Sequence, residues 1–153
     1  MAHIHKKIDF VANVFIVNRD AVLLRMHDKY NMWLPPGGHI ELDEDPVQAA
    51  LREAKEEVGL EVNLAGTVQQ IEGDRGKNLL IPRFLNRHPI NEQHEHISFQ
   101  YFGTSNTRAI QPGEGERKDG IRWFTKEDLF DPHFQVPPDV QYCANAALDE
   151  LGS

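Results

Sequence analysis

Hydrophobic and polar positions repeat with two periods along the chain. Between Asp9 and Asn18, the residues Val11, Val14, Phe15, Ile16 and Val17 make a dense apolar run that predicts a buried strand. Asn18-Arg19-Asp20 predicts a turn and Ala21 to Met26 a returning strand, together a hairpin. His27 to Met32 is polar loop. At Pro46 the period changes: Val47, Ala50, Leu51, Ala54 and Val58 recur at helical spacing and predict one buried stripe. Pro46 suits a first helical position, Asp45 before it is a good N-cap, and Gly59 is a natural stop. Beyond it, Glu61 to Ile71 predicts a strand kinked at Gly66. Leu79 to Leu85 predicts an edge strand because of Pro82, and Asn86 to Gln93 a loop.

His94 to Gly103 predicts a strand with His94, His96, Ser98 and Gln100 on one side and Glu95, Ile97, Phe99 and Tyr101 on the other. Asn106 to Asp119 is a long polar loop. Gly120 to Phe124 predicts a short strand, and Thr125 caps a brief helix through Leu129, with Asp128 at the capping-box position. A final helix from Asp139 to Leu151 presents Val140, Cys143, Ala144, Ala147, Leu148 and Leu151 as its apolar stripe. Strands, a long helix, more strands and two helices predict an α/β fold with a mixed β-sheet held between helices.

The helix at Pro46 carries a second pattern. Glu53, Glu56 and Glu57, spaced i, i+3 and i+4, gather on a face of their own, and Arg52 precedes Glu56 by one turn. Carboxylates that close repel one another, and a hard divalent cation such as Mg²⁺ relieves the conflict. A solvated acidic face is the alternative. Arg25, at a strand end, is either a phosphate contact or a solvated arginine. His39, after the double glycine, is either a phosphate contact or a variable loop residue. His94-Glu95-His96 invites a zinc reading, but the sequence supplies no soft third ligand. Phe84 is either a base-stacking ring or a core aromatic.

Composition narrows the partners. The formal net charge is −8 and no Lys/Arg cluster interrupts it, so nucleic acid is an unfavoured partner and an anionic substrate needs a cation between it and the protein. A single cysteine, Cys143, excludes an internal disulfide and fits a reducing, cytoplasmic compartment. The chain has no apolar run of membrane-spanning length and no signal-peptide pattern, and 153 residues suit a single domain, 1–153.

The stretch from Gly38 to Leu60 resembles the signature of the Nudix hydrolases. Gly38, five residues, Glu44, seven residues, Arg52-Glu53, Ala54, any residue, Glu56-Glu57, any residue, Gly59 and Leu60 fill every specified position. Trp33 to Gly37 is similar to the family's lead-in, and Asp43 departs from a common loop glycine. The resemblance implies the Nudix fold, an α/β/α sandwich. It also implies water attack on the pyrophosphate of a nucleoside diphosphate linked to another group, with Mg²⁺ or Mn²⁺ as cofactor. By position, Glu53, Glu56, Glu57 and the Gly38 carbonyl are the implied metal ligands, and Arg52 orients the glutamates. Gly37 and Gly38 admit close backbone approach. An acid before the late Trp-containing strand joins the metal or serves as base; Glu116 is taken over Asp119, and Glu95 and the signature glutamates also stand as candidate bases. Arg25, Gly37 and His39 are the substrate-binding candidates. Homodimers are common in the family. A non-catalytic nucleotide-sensing domain and an RNA 5′-end hydrolase are the alternatives.

Overall fold

The computed structural model describes residues 1–73, 75–116 and 120–153. Its first strand organises the rest. β1 (Ile8–Asn18) turns at Arg19, which takes a left-handed φ of 56°, into β2 (Ala21–His27). Only Val17↔Val22 and Asn18↔Ala21 pair directly before the two strands part to take other neighbours. β2 then pairs with β3 (Met32–Leu34) and with β8 (Ile121–Thr125), both antiparallel. β1 pairs antiparallel with β4 (Gly37–His39) and parallel with β7 (His94–Thr104). β7 also carries β5 (Asn63–Ala65) and β6 (Phe84–Asn91). One parallel junction among antiparallel ones makes the sheet mixed, as expected.

Helices cover both faces, so β1 is buried on both sides, and this is why its sequence is nearly continuous in apolar residues rather than alternating. Phe15 and Val17 point into a core with Phe102, Phe124 and residues Val140, Ala144 and Leu148 of α3 (Pro138–Leu151). Ala12, Val14 and Ile16 point the other way, into a core with Tyr101 and with Ala50, Ala54 and Val58 of α1 (Pro46–Val58). Each fully buried large side chain contributes about 1.5–3 kcal/mol, and the sheet gathers them on two sides at once. The short helix α2 (Lys126–Phe130) is capped as predicted: Thr125 accepts from the Asp128 N–H, and Asp128 returns a bond to the Thr125 N–H. Among the described residues no helix is long and apolar enough to cross a membrane.

Three expectations are corrected. Strand pairing after α1 is confined to Asn63–Ala65, because the chain leaves the β7 edge at Gly66, whose φ is 134°. The strand expected over Leu79 to Leu85 starts instead at Phe84 and runs through the segment expected to be loop. Its polar sequence reflects an outer position, where the unpaired side of the strand faces solvent, and Pro89 sits beside a register shift. Finally, the segment expected to be polar loop through Met32 ends earlier, because Met32 already pairs with His27 as the first residue of β3.

Candidate active site

α1 is fixed at both ends. Asp45 accepts from the Gln48 N–H at 2.9 Å, and Gln48 accepts from the Asp45 N–H at 2.9 Å. At the other end Gly59 takes a φ of 72° and its N–H reaches the Lys55 carbonyl. The chain between the last two strands docks there: Gln111 N–H donates to Val58 O and Gly113 N–H to Glu56 O. A Cβ on Gly59 would lie 2.0 Å from Gln111 O, so this close approach needs glycine. The docked segment brings Glu116 up beside the helix.

The helix seats itself differently from the simple stripe. Ala49, Ala50 and Ala54 are fully buried, whereas Leu51 is 37% exposed. Small alanines let the helix backbone close on the sheet, which turns Leu51 to the rim and Glu57 inward. The Glu57 carboxylate is consequently almost fully buried, which sequence reasoning missed. Alanine at positions 49, 50 and 54 was the available signal.

Glu57 is held by two donors. The Gly37 N–H donates to its Oε1 at 2.7 Å, and Arg25 Nη1 lies 2.5 Å from its Oε2. Burial still dominates and, with help from Glu53 and Glu116, pushes the Glu57 carboxyl up to about 7 against the pull of Arg25 and Gly37. Arg25 Nη2 also reaches Glu116 Oε2 at 3.3 Å, so one guanidinium spans the helix and the late loop. Glu53 is likewise raised by burial, opposed by Arg52. It packs so closely on Gly38 that a Cβ there would lie 2.4 Å from Glu53 Oε1.

Arg52 ties the remaining acids together. Its Nε and Nη2 grip both oxygens of Glu44 at 3.0 and 2.6 Å, its Nη1 reaches Glu53 and Glu56 at 3.1 Å each, and Nη2 also donates to the His39 carbonyl. The fork holds the Glu44 carboxyl below its ordinary range. Glu56 is more than half exposed and touches the group through Arg52. The structure therefore brings together Arg25, Gly37, Gly38, Arg52, Glu53, Glu57 and Glu116, with Glu56 at the open edge. The carboxylates among them are hard oxygen donors, two of them, Glu53 and Glu57, with a pKa raised by burial, and they lie against the Gly37-Gly38 backbone. That donor set suits Mg²⁺ or Mn²⁺.

Other candidates lie elsewhere. The His39 ring faces away from the glutamates, 3.5 Å from Asp9. Glu95 is occupied by Lys7 at 3.3 Å and Arg87 at 2.5 Å. Phe84 packs on Phe102 and Tyr142. Asp119 lies outside the described residues. His94 and His96 are not without further ligands, because Asp9 and His39 join them. Burial and the rings of His39, His88 and His94 push His96 down to about 4.

Comparison with known proteins agrees with this geometry. The family model of the NUDIX domain matches residues 8–144. The crystal structure of a NUDIX-family hydrolase from Clostridium perfringens is 37% identical and superposes with a TM-score of 0.82 over 94% of this chain and 97% of that one. An Ap4A hydrolase from C. elegans shares the fold at 16% identity, with a TM-score of 0.69 over 94% of this chain and 97% of that one. Among curated proteins, a probable DHNTP pyrophosphohydrolase from Lactococcus lactis subsp. cremoris is 29% identical over 99 residues, 64% of this chain and 55% of that protein. An m7GpppN-mRNA hydrolase from Danio rerio is 58% identical over 33 residues, 22% of this chain and 11% of that protein. The chain thus spans between 11% and 55% of the length of these two curated relatives. A domain match that runs from the first strand into the last helix, together with a structural relative matched over nearly its whole length, shows that the chain belongs to the NUDIX family of hydrolases.

Proposed function

We propose that the protein is a divalent-metal-dependent pyrophosphohydrolase. Its substrate is a nucleoside diphosphate linked to another moiety, of the nucleoside triphosphate or nucleotide-sugar type. The observation that carries this reading is the buried carboxylate of Glu57, held against Gly37 with Glu53 on Gly38 and Glu116 across Arg25. Arg25 and Arg52 face a larger number of acids, Glu44, Glu53, Glu56, Glu57 and Glu116, so negative charge is left in excess and is costly unless something cationic arrives, and the substrate of such a site is itself polyanionic.

Glu53, Glu56 and Glu57, the Gly38 carbonyl and Glu116 would hold Mg²⁺ or Mn²⁺. When bound, the ion neutralises phosphate oxygens and lowers the pKa of a water. The protein's own groups supply the rest. Gly37 lets β4 close on β1 and Gly38 lets the Glu53 carboxylate close on β4, which fixes the acids against that strand. Arg52 fixes the rotamers of Glu44, Glu53 and Glu56, so the acids do not reorganise when substrate enters. Arg25 sets the distance between α1 and the Glu116 segment. Water attacks phosphorus, its proton passes to Glu116 or to a signature glutamate, and the anhydride P–O bond breaks with the leaving phosphate taking the electron pair.

The names of the matched relatives, a pyrophosphohydrolase and a bis(5′-nucleosyl)-tetraphosphatase from Sus scrofa, 43% identical over 54 residues, support a phosphate-chain substrate. Capped or 5′-phosphorylated RNA is the second reading, because matched relatives are named m7GpppN-mRNA hydrolases. A net charge of −8 weighs against a long RNA.

The test is a panel of nucleoside triphosphates, nucleotide sugars, dinucleoside polyphosphates and capped RNA, with Mg²⁺ or Mn²⁺ and product identification. Turnover of a diphosphate linkage that is lost in Glu57→Gln is expected. A wild-type protein that cleaves nothing on the panel removes the enzyme reading, and nucleotide binding without turnover replaces it with a sensing role.

A further inference from the structure

A second set of ligating side chains converges on the opposite face of the sheet. Asp9 on β1 pairs with His96 on β7 in the parallel register, and His94 lies two residues before His96 on the same side. His39 on β4 pairs with Val11, two residues after Asp9, so it joins them diagonally. Strand alternation puts Asp9 on the side of Phe15 and Val17, the α3 side, and His96 on the side of Phe102. The signature glutamates lie on the α1 side. Three neighbouring strands thus deliver three imidazoles and one carboxylate to one patch of sheet.

The geometry fits one ion. Asp9 Oδ2 lies 2.8 Å from His94 Nε2 and 3.5 Å from His39 Nε2. The His96 ring meets the His39 ring edge-on at 5.2 Å between centroids and the His94 ring at 5.3 Å. One ligand atom from each of the four residues lies within 4.8 Å of all the others. Ligand atoms around tetrahedral zinc, with bonds of about 2.0–2.1 Å, stand roughly 3.4 Å apart. The observed spread brackets that value, and all four residues keep some exposure, so small side-chain rotations close the shell and an ion has a way in. Imidazole nitrogens with one carboxylate select Zn²⁺ or a neighbouring first-row ion such as Co²⁺ over Mg²⁺.

We propose that Asp9, His39, His94 and His96 form a binding site for a transition-metal ion of the Zn²⁺ class, separate from the glutamate site. It joins β4 to β1 and β7 at the strand that carries Gly37 and Gly38. The proposal does not rest on the hydrolase reading, because its readout uses neither nucleotide nor turnover.

The experiment is titration of the full chain with Zn²⁺ and with Co²⁺ in saturating Mg²⁺, followed by calorimetry and by the visible Co²⁺ spectrum. The expected result is one tight equivalent per chain, an intense tetrahedral Co²⁺ absorption and a higher melting temperature with Zn²⁺. His94→Ala and His96→Ala should each weaken binding by more than the roughly 10–100-fold that an outer-shell partner is worth. Asp9→Asn should weaken it less, and Glu53→Gln should leave it unchanged. Far-UV circular dichroism separates loss of the site from loss of the fold, and the wild-type Co²⁺ spectrum tests the site without any variant. A weak octahedral Co²⁺ spectrum, no Zn²⁺ uptake above Mg²⁺, or uptake abolished by Glu53→Gln but kept in the His94→Ala/His96→Ala double variant would each overturn the proposal.

Discussion

The two sides of β4 share one short backbone and carry opposite chemistry. On the α1 side stand glutamates, locked by arginines and partly buried. On the other side stand imidazoles around a single aspartate, more open to solvent. The backbone explains the asymmetry. Gly38 has no side chain, so Glu53 can close on it, while the next residue, His39, projects its ring to the far face and offers its carbonyl back to Arg52. The difference teaches what a glycine pair does to the strand that carries it. It lets carboxylates and imidazoles approach one strand from opposite sides.

The largest expected effect separates the acids from one another. Glu57→Gln and Glu53→Gln should each lower kcat/KM by on the order of 10²-fold or more, in the range of a lost acid–base or charge-stabilising group. Glu56→Gln, at the exposed edge, should cost less, near tenfold. Equal losses at all three positions would show that burial does not rank them.

A second pair of variants separates fold from site at adjacent glycines. A Cβ on Gly37 would meet the β1 backbone, 2.4 Å from Ala12 O, so Gly37→Ala should destabilise by about 1–3 kcal/mol. At roughly 2–4 °C per kcal/mol the loss is visible in a melting curve. A Cβ on Gly38 would press on the Glu53 carboxylate, 2.4 Å from its Oε1, and displace a side chain rather than backbone, so Gly38→Ala should lower turnover while the melting temperature moves less than in Gly37→Ala.

Arg52→Lys retains the charge but loses the fork on Glu44. Since the arginine is partly exposed, the expected stability loss is only about 1 kcal/mol, with a larger effect on kcat than on KM. Smallest is Asp45→Ala, which removes the α1 cap for about 1 kcal/mol or less. Calorimetric Zn²⁺ affinity on the opposite face should be unmoved by it. A change there would mean that the two sides are coupled.

Much of this was legible before folding was considered. The caps of α1 and α2, the buried run of β1 and the alternation of β7 follow from local preferences, which the residues carry with them. The spacing from Gly38 to Leu60 named the acids as well. The polar strand β6 was not legible, because its identity comes from pairing with β7 and not from its own pattern. The short strands β3 and β4 were hidden for the same reason.

Sequence alone determined which residues are chemically able to act: three glutamates and an arginine at helical spacing behind two glycines, and two histidines at strand spacing. Only the tertiary structure decided which of them meet. It buried Glu57 rather than Leu51, drew Glu116 to Arg25 across the chain, and brought Asp9 and His39 to His94 and His96. The physical reason is that spacing within one element is set by its own helical or extended geometry. Distances between elements depend on register and on how closely small residues let backbones pack.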